Sequence, residues 1–286
     1  MSAHDAFARL TPYELSFPDL DFARRHFAAI RLEAEARGVD LADPSAFVML
    51  AATGQALREI RGPNDEPALI HQYGFLLYHS FHFCAAREPL FLLLTGALRE
   101  LLDGEPEETE RWVPALDPPA GYAQLPQHLV WVRAAAGTPP ESLDGFFWSR
   151  EGPDRFGLLL ALGIRADRPG LSVVPLSDLP LAEASEWNRM EMREGGRDFS
   201  SSLPGSDLEG LYELRSSGEA LKLAARVLRR LENAVGIEPA SSAAPEGGAA
   251  SGDGPRPSAL RYRRVTWRTR RSAGGRGADG RRSARS

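Results

Sequence analysis

The chain has 286 residues, of which 43% are apolar, 26% charged and 8% aromatic, a globular composition that excludes a collagen or a chain disordered throughout. Its one cysteine, Cys84, excludes an intrachain disulfide and points to a reducing, cytoplasmic setting. The net charge of −5 is unevenly placed: residues 256–286 carry eleven arginines and one acid, Asp279, for +10, and the preceding 255 residues carry −15.

Lys222 is the only lysine, and arginine, alanine, glycine and proline are plentiful. This Arg-rich usage reads as the product of a GC-rich, bacterial genome. The N-terminus lacks a charged and then apolar leader. No apolar run approaches the ~18 residues of a membrane span, so no membrane partner is expected.

The first predicted helix is capped at Asp19 or Asp21, carries Phe22, Phe27, Ile30 and Ala34 at three- and four-residue spacing, and ends at Gly38. A second starts after Asp43 with Pro44 at its first position and runs to Gly62-Pro63. A third covers about Pro67 to Ala86, and a fourth Pro89 to Leu102. These four helices make a helical part, 1–104.

Glu105 to Gly121, rich in proline and acids, reads as a hinge. Strands are then predicted over Tyr122–Arg133, Phe146–Arg150, Phe156–Arg165 and Leu171–Leu176. Their separators, such as Glu151-Gly152-Pro153-Asp154, are turn residues at short spacing, which favours antiparallel pairing. The stretch Leu158–Ile164 is apolar on both faces and needs cover on both sides. A short helix through Trp187, Met190 and Met192 follows, then a polar loop, then a last helix from about Ser217 to Ala234.

The expected fold is therefore α+β. An N-terminal four-helix part packs with a four-stranded antiparallel sheet (122–176) and a closing C-terminal helix (in 180–236). Together they form one domain, 1–236. Residues 237–286 read as a disordered linker and basic tail, because the stretch Pro239–Pro255 has no large apolar side chain to offset ordering.

Candidate chemistry concentrates on the third helix, which carries His71, His79 and His82 with Tyr78 beside them. At ~100° per residue Tyr78, His71, His82 and His79 form one polar-aromatic stripe on an otherwise apolar wheel. That stripe supplies weak catalytic candidates, His79, His82 and Tyr78, and ligand-binding candidates, His71, Tyr78 and His82. His71 and His82 are about 16 Å apart along the axis and cannot share an ion. His79 and His82 can, but a zinc site wants three or four protein ligands. No HExxH, CxxC or EF-hand spacing occurs, so no metal and no cofactor are expected. The plainer reading makes these histidines hydrogen-bonded core residues.

Other motifs are weaker. There is no GxSxG elbow. Cys84 falls on the wheel away from His79 and His82 and reads as packed. Gly275-Arg-Gly277-Ala-Asp-Gly280 matches GxGxxG without the strand and helix that give it meaning. Trp131, Phe146, Phe147 and Trp148 read as sheet aromatics under helices, and Asp144-Gly145 as a turn at the start of a strand. In the tail, Arg261, Tyr262, Arg263, Arg264, Trp267 and Arg268 interleave guanidinium with aromatic rings, a pattern suited to weak, sequence-independent nucleic-acid contact.

Three functions remain in view. The first is a non-enzymatic accessory role with an unidentified protein partner. The second is a small-ligand or hydrolase-like site on the His71–His82 stripe. The third is nucleic-acid binding through the tail.

Overall fold

A computed structural model describes residues 8–17, 19–61, 67–103, 117–133, 139–163, 172–180, 189, 212–232, 237–239 and 258–265. The fold is α+β, with seven helices and nine strands among the described residues.

Local chemistry sets the helix ends. In α1 (Pro12–Ser16), Thr11 and Glu14 form a reciprocal capping box. In α2 (Leu20–Arg37), Asp19 accepts from the Phe22 N–H, and Gly38 closes the helix at φ 62°. The single predicted second helix is two. Asp43 caps α3 (Pro44–Val48), and the chain then breaks at Met49 and Leu50. The Glu33 carboxylate on α2 accepts from the Ala51 and Ala52 N–H groups at 3.1 and 2.7 Å, and so caps α4 (Ala51–Arg61) across the helix pair. Those bonds hold the Glu33 pKa below its usual range. Next comes α5 (Pro67–Ala85), close to the predicted third helix.

The predicted fourth helix is corrected. Arg87 and Glu88 adopt positive φ and turn the chain, and Leu90–Leu93 then forms strand β1 before α6 (Thr95–Asp103). All four β1 residues are buried. A short, wholly apolar run carries no period that distinguishes strand from helix.

The sheet is also corrected: it is mixed and larger than a four-stranded antiparallel meander. The remaining strands are β2 (Ala120–Gln124), β3 (Val130–Val132), β4 (Glu141–Arg150), β5 (Arg155–Leu162), β6 (Ser172–Pro180), β7 (Tyr212–Leu214), β8 (Ile237–Pro239) and β9 (Tyr262–Val265). Their order is β6-β5-β4-β2-β1-β9-β8, with β3 beside β4 and β7 beside β3. The meander β4-β5-β6 is antiparallel as expected. β1 runs parallel to both β2 and β9, and β3 parallel to β7. Asp144-Gly145 lies inside β4 at a register shift, not in a turn before it.

Residues 237–239 and 258–265, placed by the sequence in a linker and tail, are strands β8 and β9 and the approach to β9. Leu260, Tyr262 and Val265 are buried. The Glu14 carboxylate accepts from the Ser258 hydroxyl and the Ala259 N–H, and Ser258 N–H donates to Ala8 O at 2.7 Å. A chain segment alone cannot offset its ordering entropy. This one adds to an edge already ordered by β1, and few of its residues are involved.

Helices cover both faces of the sheet. One core joins Phe147, Leu159, Ala161 and Tyr122 of the sheet to α1–α5. The other joins Phe146, Trp148, Leu158 and Leu160 to α6 and α7 (Ser217–Glu232). Leu158 to Leu162 are thus buried from both sides, the cover their sequence requires. The predicted helix through Trp187 and Met192 lies outside the described residues, apart from position 189.

Candidate functional site

The α5 stripe divides into two parts with different surroundings. His82 Nε2 donates to Leu41 O at 2.8 Å and Tyr78 Oη donates to Ala42 O at 2.8 Å, so both pin the α2–α3 connection to α5. Their rings meet edge to face at 4.6 Å. Burial lowers the His82 pKa, against the Leu41 carbonyl and Asp40, which raise it. His71 lies on α5, but its side chain is outside the described residues.

His79 points instead at the sheet. It is 1% exposed. Strand alternation puts Phe147, Ser149 and Glu151 on the face toward α5. Ser149 Oγ lies 3.0 Å from His79 Nδ1. Burial holds the imidazole neutral, with its pKa pushed down to about 3, and His82 adds to the fall.

Glu151 follows β4 at the start of the β4–β5 hairpin, where its N–H donates to Arg155 O at 3.0 Å. Its Oε2 accepts from the Asp178 N–H at 2.5 Å. Asp178 stands at φ 55°, at the register shift between β5 and β6. Burial raises the Glu151 pKa to about 7; the Asp178 N–H opposes this, and the Asp178 and Asp43 charges add to it.

Gly157 brings Glu151 and His79 together. It pairs with Ser149 across the hairpin. A Cβ built there would lie 2.2 Å from Glu151 Oε1 and 3.2 Å from His79 Cε1. The two distances together bound the Oε1–Cε1 separation at about 5.4 Å. A side chain at 157 would displace the Glu151 carboxyl from the space it occupies. Both Glu151 Oε1 and His79 Nε2 are buried without a hydrogen-bond partner. Two buried unsatisfied polar atoms on side chains that share one glycine neighbour are unusual in a folded chain. The Glu151 carboxyl is displaced toward neutral pH, the combination of burial and shifted ionisation that makes this the candidate site.

The sequence did not single out Ser149, Glu151, Gly157 or Asp178. Glu151 was absorbed into a run of turn residues. The available signal was Ser149: a hydroxyl two residues from Phe147 on a strand face otherwise filled with apolar groups.

The remaining candidates lie elsewhere. Burial raises the Cys84 thiol pKa to about 12, opposed by its hydrogen bond to Tyr13, so the group is not a thiolate at neutral pH. Phe146, Phe147 and Trp148 are buried core residues. In the tail, Tyr262 is buried in β9, and the Arg263 guanidinium sits 5.9 Å from the Phe91 ring centre. Arg264 is half-buried on the same strand, and Arg261 is exposed just before it. Trp267 and Arg268 are outside the described residues. Among the described residues no group of three or more His, Cys, Asp or Glu side chains is arranged to hold a metal ion, and no helix is long and apolar enough to cross a membrane. Compared with protein-family models, curated proteins and solved structures, the chain matches none.

Proposed function

We propose that this protein binds a small polar ligand at the His79–Glu151 pair, with Glu151 as its proton-active group. The reading narrows the stripe expectation to one of its histidines and moves the chemistry to the seam between α5 and the β4–β5 hairpin. The observation that carries it is the pair of buried, unpartnered polar atoms, Glu151 Oε1 and His79 Nε2, on two side chains that both pack against Gly157. Tyr78 and His82 act as positioning residues, holding the α2–α3 connection over the same end of α5. The setting belongs to the proposal and is the cytoplasm.

The test is a screen of small amines, alcohols, amides and carboxylic acids, read by the His79 Hε1 proton resonance. Gly157→Ala would place a methyl group on the Glu151 carboxyl and should abolish any response while Glu151→Gln alters it. A hit unaffected by either substitution would move binding elsewhere.

A further inference from the structure

We propose that the Glu151 carboxyl is a proton-operated latch on β6: protonated, it lies against Gly157 and holds the Asp178 N–H; ionised, it leaves for solvent and frees the bulge between β5 and β6. This concerns the regulation of the site described above and rests on the same carboxyl, but it needs no ligand.

The latch closes on a segment that can move. β5 and β6 pair at Phe156–Leu179 and again at Leu158–Leu176, so Ser177 and Asp178 together face the single residue Gly157. Both bulge residues are exposed, whereas Leu179 and Pro180 beyond them are buried. The bulge can therefore shift without disturbing the core. Asp178 stands at φ 55°, a conformation unfavourable for a residue other than glycine, which persists where its surroundings impose it. Two neighbours do so. Glu151 Oε2 accepts from the Asp178 N–H. Arg155 Nη1 donates to the Asp178 carbonyl at 3.1 Å, and its Nε lies 3.5 Å from the Asp178 carboxylate. Of these contacts, the one made by Glu151 changes when its carboxyl ionises.

The seat against Gly157 suits a neutral carboxyl better than a charged one. Oε1 is buried there without a hydrogen-bond partner, and an unpartnered buried charge is far less favourable than an unpartnered neutral group. The charged neighbours are mostly acidic. The α2–α3 connection brings Asp43, with Asp40 acting on Tyr78 and His82, and β6 brings Asp178. The hairpin carries Asp154, exposed at its turn. α5 brings Tyr78, His79 and His82, which burial keeps uncharged at neutral pH. β5 brings Arg155, already engaged with Asp178. Burial dominates and sets the Glu151 midpoint near 7, against the Asp178 N–H, which favours the charged form. Solvent is within reach: Glu151 is half-buried at the hairpin turn, so rotation about its side-chain bonds carries the carboxylate into water.

Opening is therefore linked to ionisation with a definite sign. The closed carboxyl titrates near 7 and the open one near its ordinary 4.5. Between those values the open form holds fewer protons, so it gains population as pH rises. The open-to-closed ratio should grow about tenfold from pH 6 to pH 8 and level above that.

The test is amide hydrogen exchange on the full chain at pH 6 and pH 8, with no ligand added and rates corrected for base catalysis of exchange itself. The Glu151 carboxyl is followed in parallel by its ¹³C resonance. The expected result is an Asp178 amide whose protection falls about tenfold from pH 6 to pH 8, and stays well below that of the Phe147 amide in the centre of the sheet. Glu151→Gln, which cannot ionise, should remove the tenfold change. Equal Asp178 protection at both pH values, with Glu151 titrating near 7, overturns the latch and leaves the ligand reading standing. A Glu151 midpoint in the ordinary carboxylate range removes both. Asp178 protection equal to that of Phe147 at both pH values means that the contact opens only on global unfolding, and overturns the latch. So does a tenfold change that persists in Glu151→Gln. The pH comparison is made on the unaltered chain, so it does not depend on a variant that folds.

Discussion

Glu151 sits where its charge is costly, and that cost links folding to pH. Its folded pKa, about 7, lies above the unfolded carboxylate value of ~4.3. The folded state therefore holds a proton that the unfolded state has released, and stability falls as pH rises from ~4.3 through 7, then levels. After discounting for partial solvent exposure, the loss is about 1–3 kcal/mol. Glu151→Gln removes it, so the difference in Tm between variant and parent should widen between pH 5 and pH 8; a constant difference contradicts the assignment. His82 tests the structural half of the stripe. His82→Ala leaves Leu41 O without its donor and should cost ~1–3 kcal/mol in urea denaturation at pH 7. A change under 0.5 kcal/mol would mean the α2–α3 connection is held by Tyr78 alone.

The elements differ in how far the sequence revealed them. α2 and α7 were legible because periodicity, cap residues and terminating glycine or charge agree. β4, β5 and β6 were legible from turn residues at short spacing. β1 was hidden by a four-residue apolar run that satisfies either period. The break between α3 and α4 was hidden because its cap, Glu33, comes from another helix. β9 was hidden by its composition: Tyr262-Arg263-Arg264-Val265 reads as a basic tail until β1 offers it an edge. Deleting residues 237–286 therefore removes the strand covering β1 and uncovers Leu90 and Leu92. The Tm should fall by several degrees or more, and Val265→Asp, which puts a charge in the core, should cost at least ~3 kcal/mol. An unchanged Tm on deletion would mean that β9 contributes nothing to the sheet. Glu213 on β7 makes a similar case: fully buried, it bonds Arg133 and Arg215 on its two oxygens. Glu213→Ala should cost ~1–3 kcal/mol, because it removes the charged acceptor shared by Arg133 and Arg215 at the β3–β7 seam.

At the scale of the molecule, helices on both faces of the sheet leave the ends of the strands as the places where polar groups meet. The site lies at one such end, where α5, the β4–β5 hairpin, β6 and the α2–α3 connection converge. Half of it was legible: His79 stood out as a histidine on an apolar helix. The other half depends on α5 packing against the β4–β5 hairpin, which sets His79 beside Ser149 at a separation of 70 residues, and no local pattern encodes a long-range contact. The most direct measurement is a ¹³C titration of the Glu151 carboxyl in the intact protein, followed together with His79 Hε1. A shared midpoint near pH 7 in both resonances is the predicted result. A Glu151 midpoint in the ordinary carboxylate range, with His79 unresponsive across it, would contradict the coupled pair on which the functional reading rests.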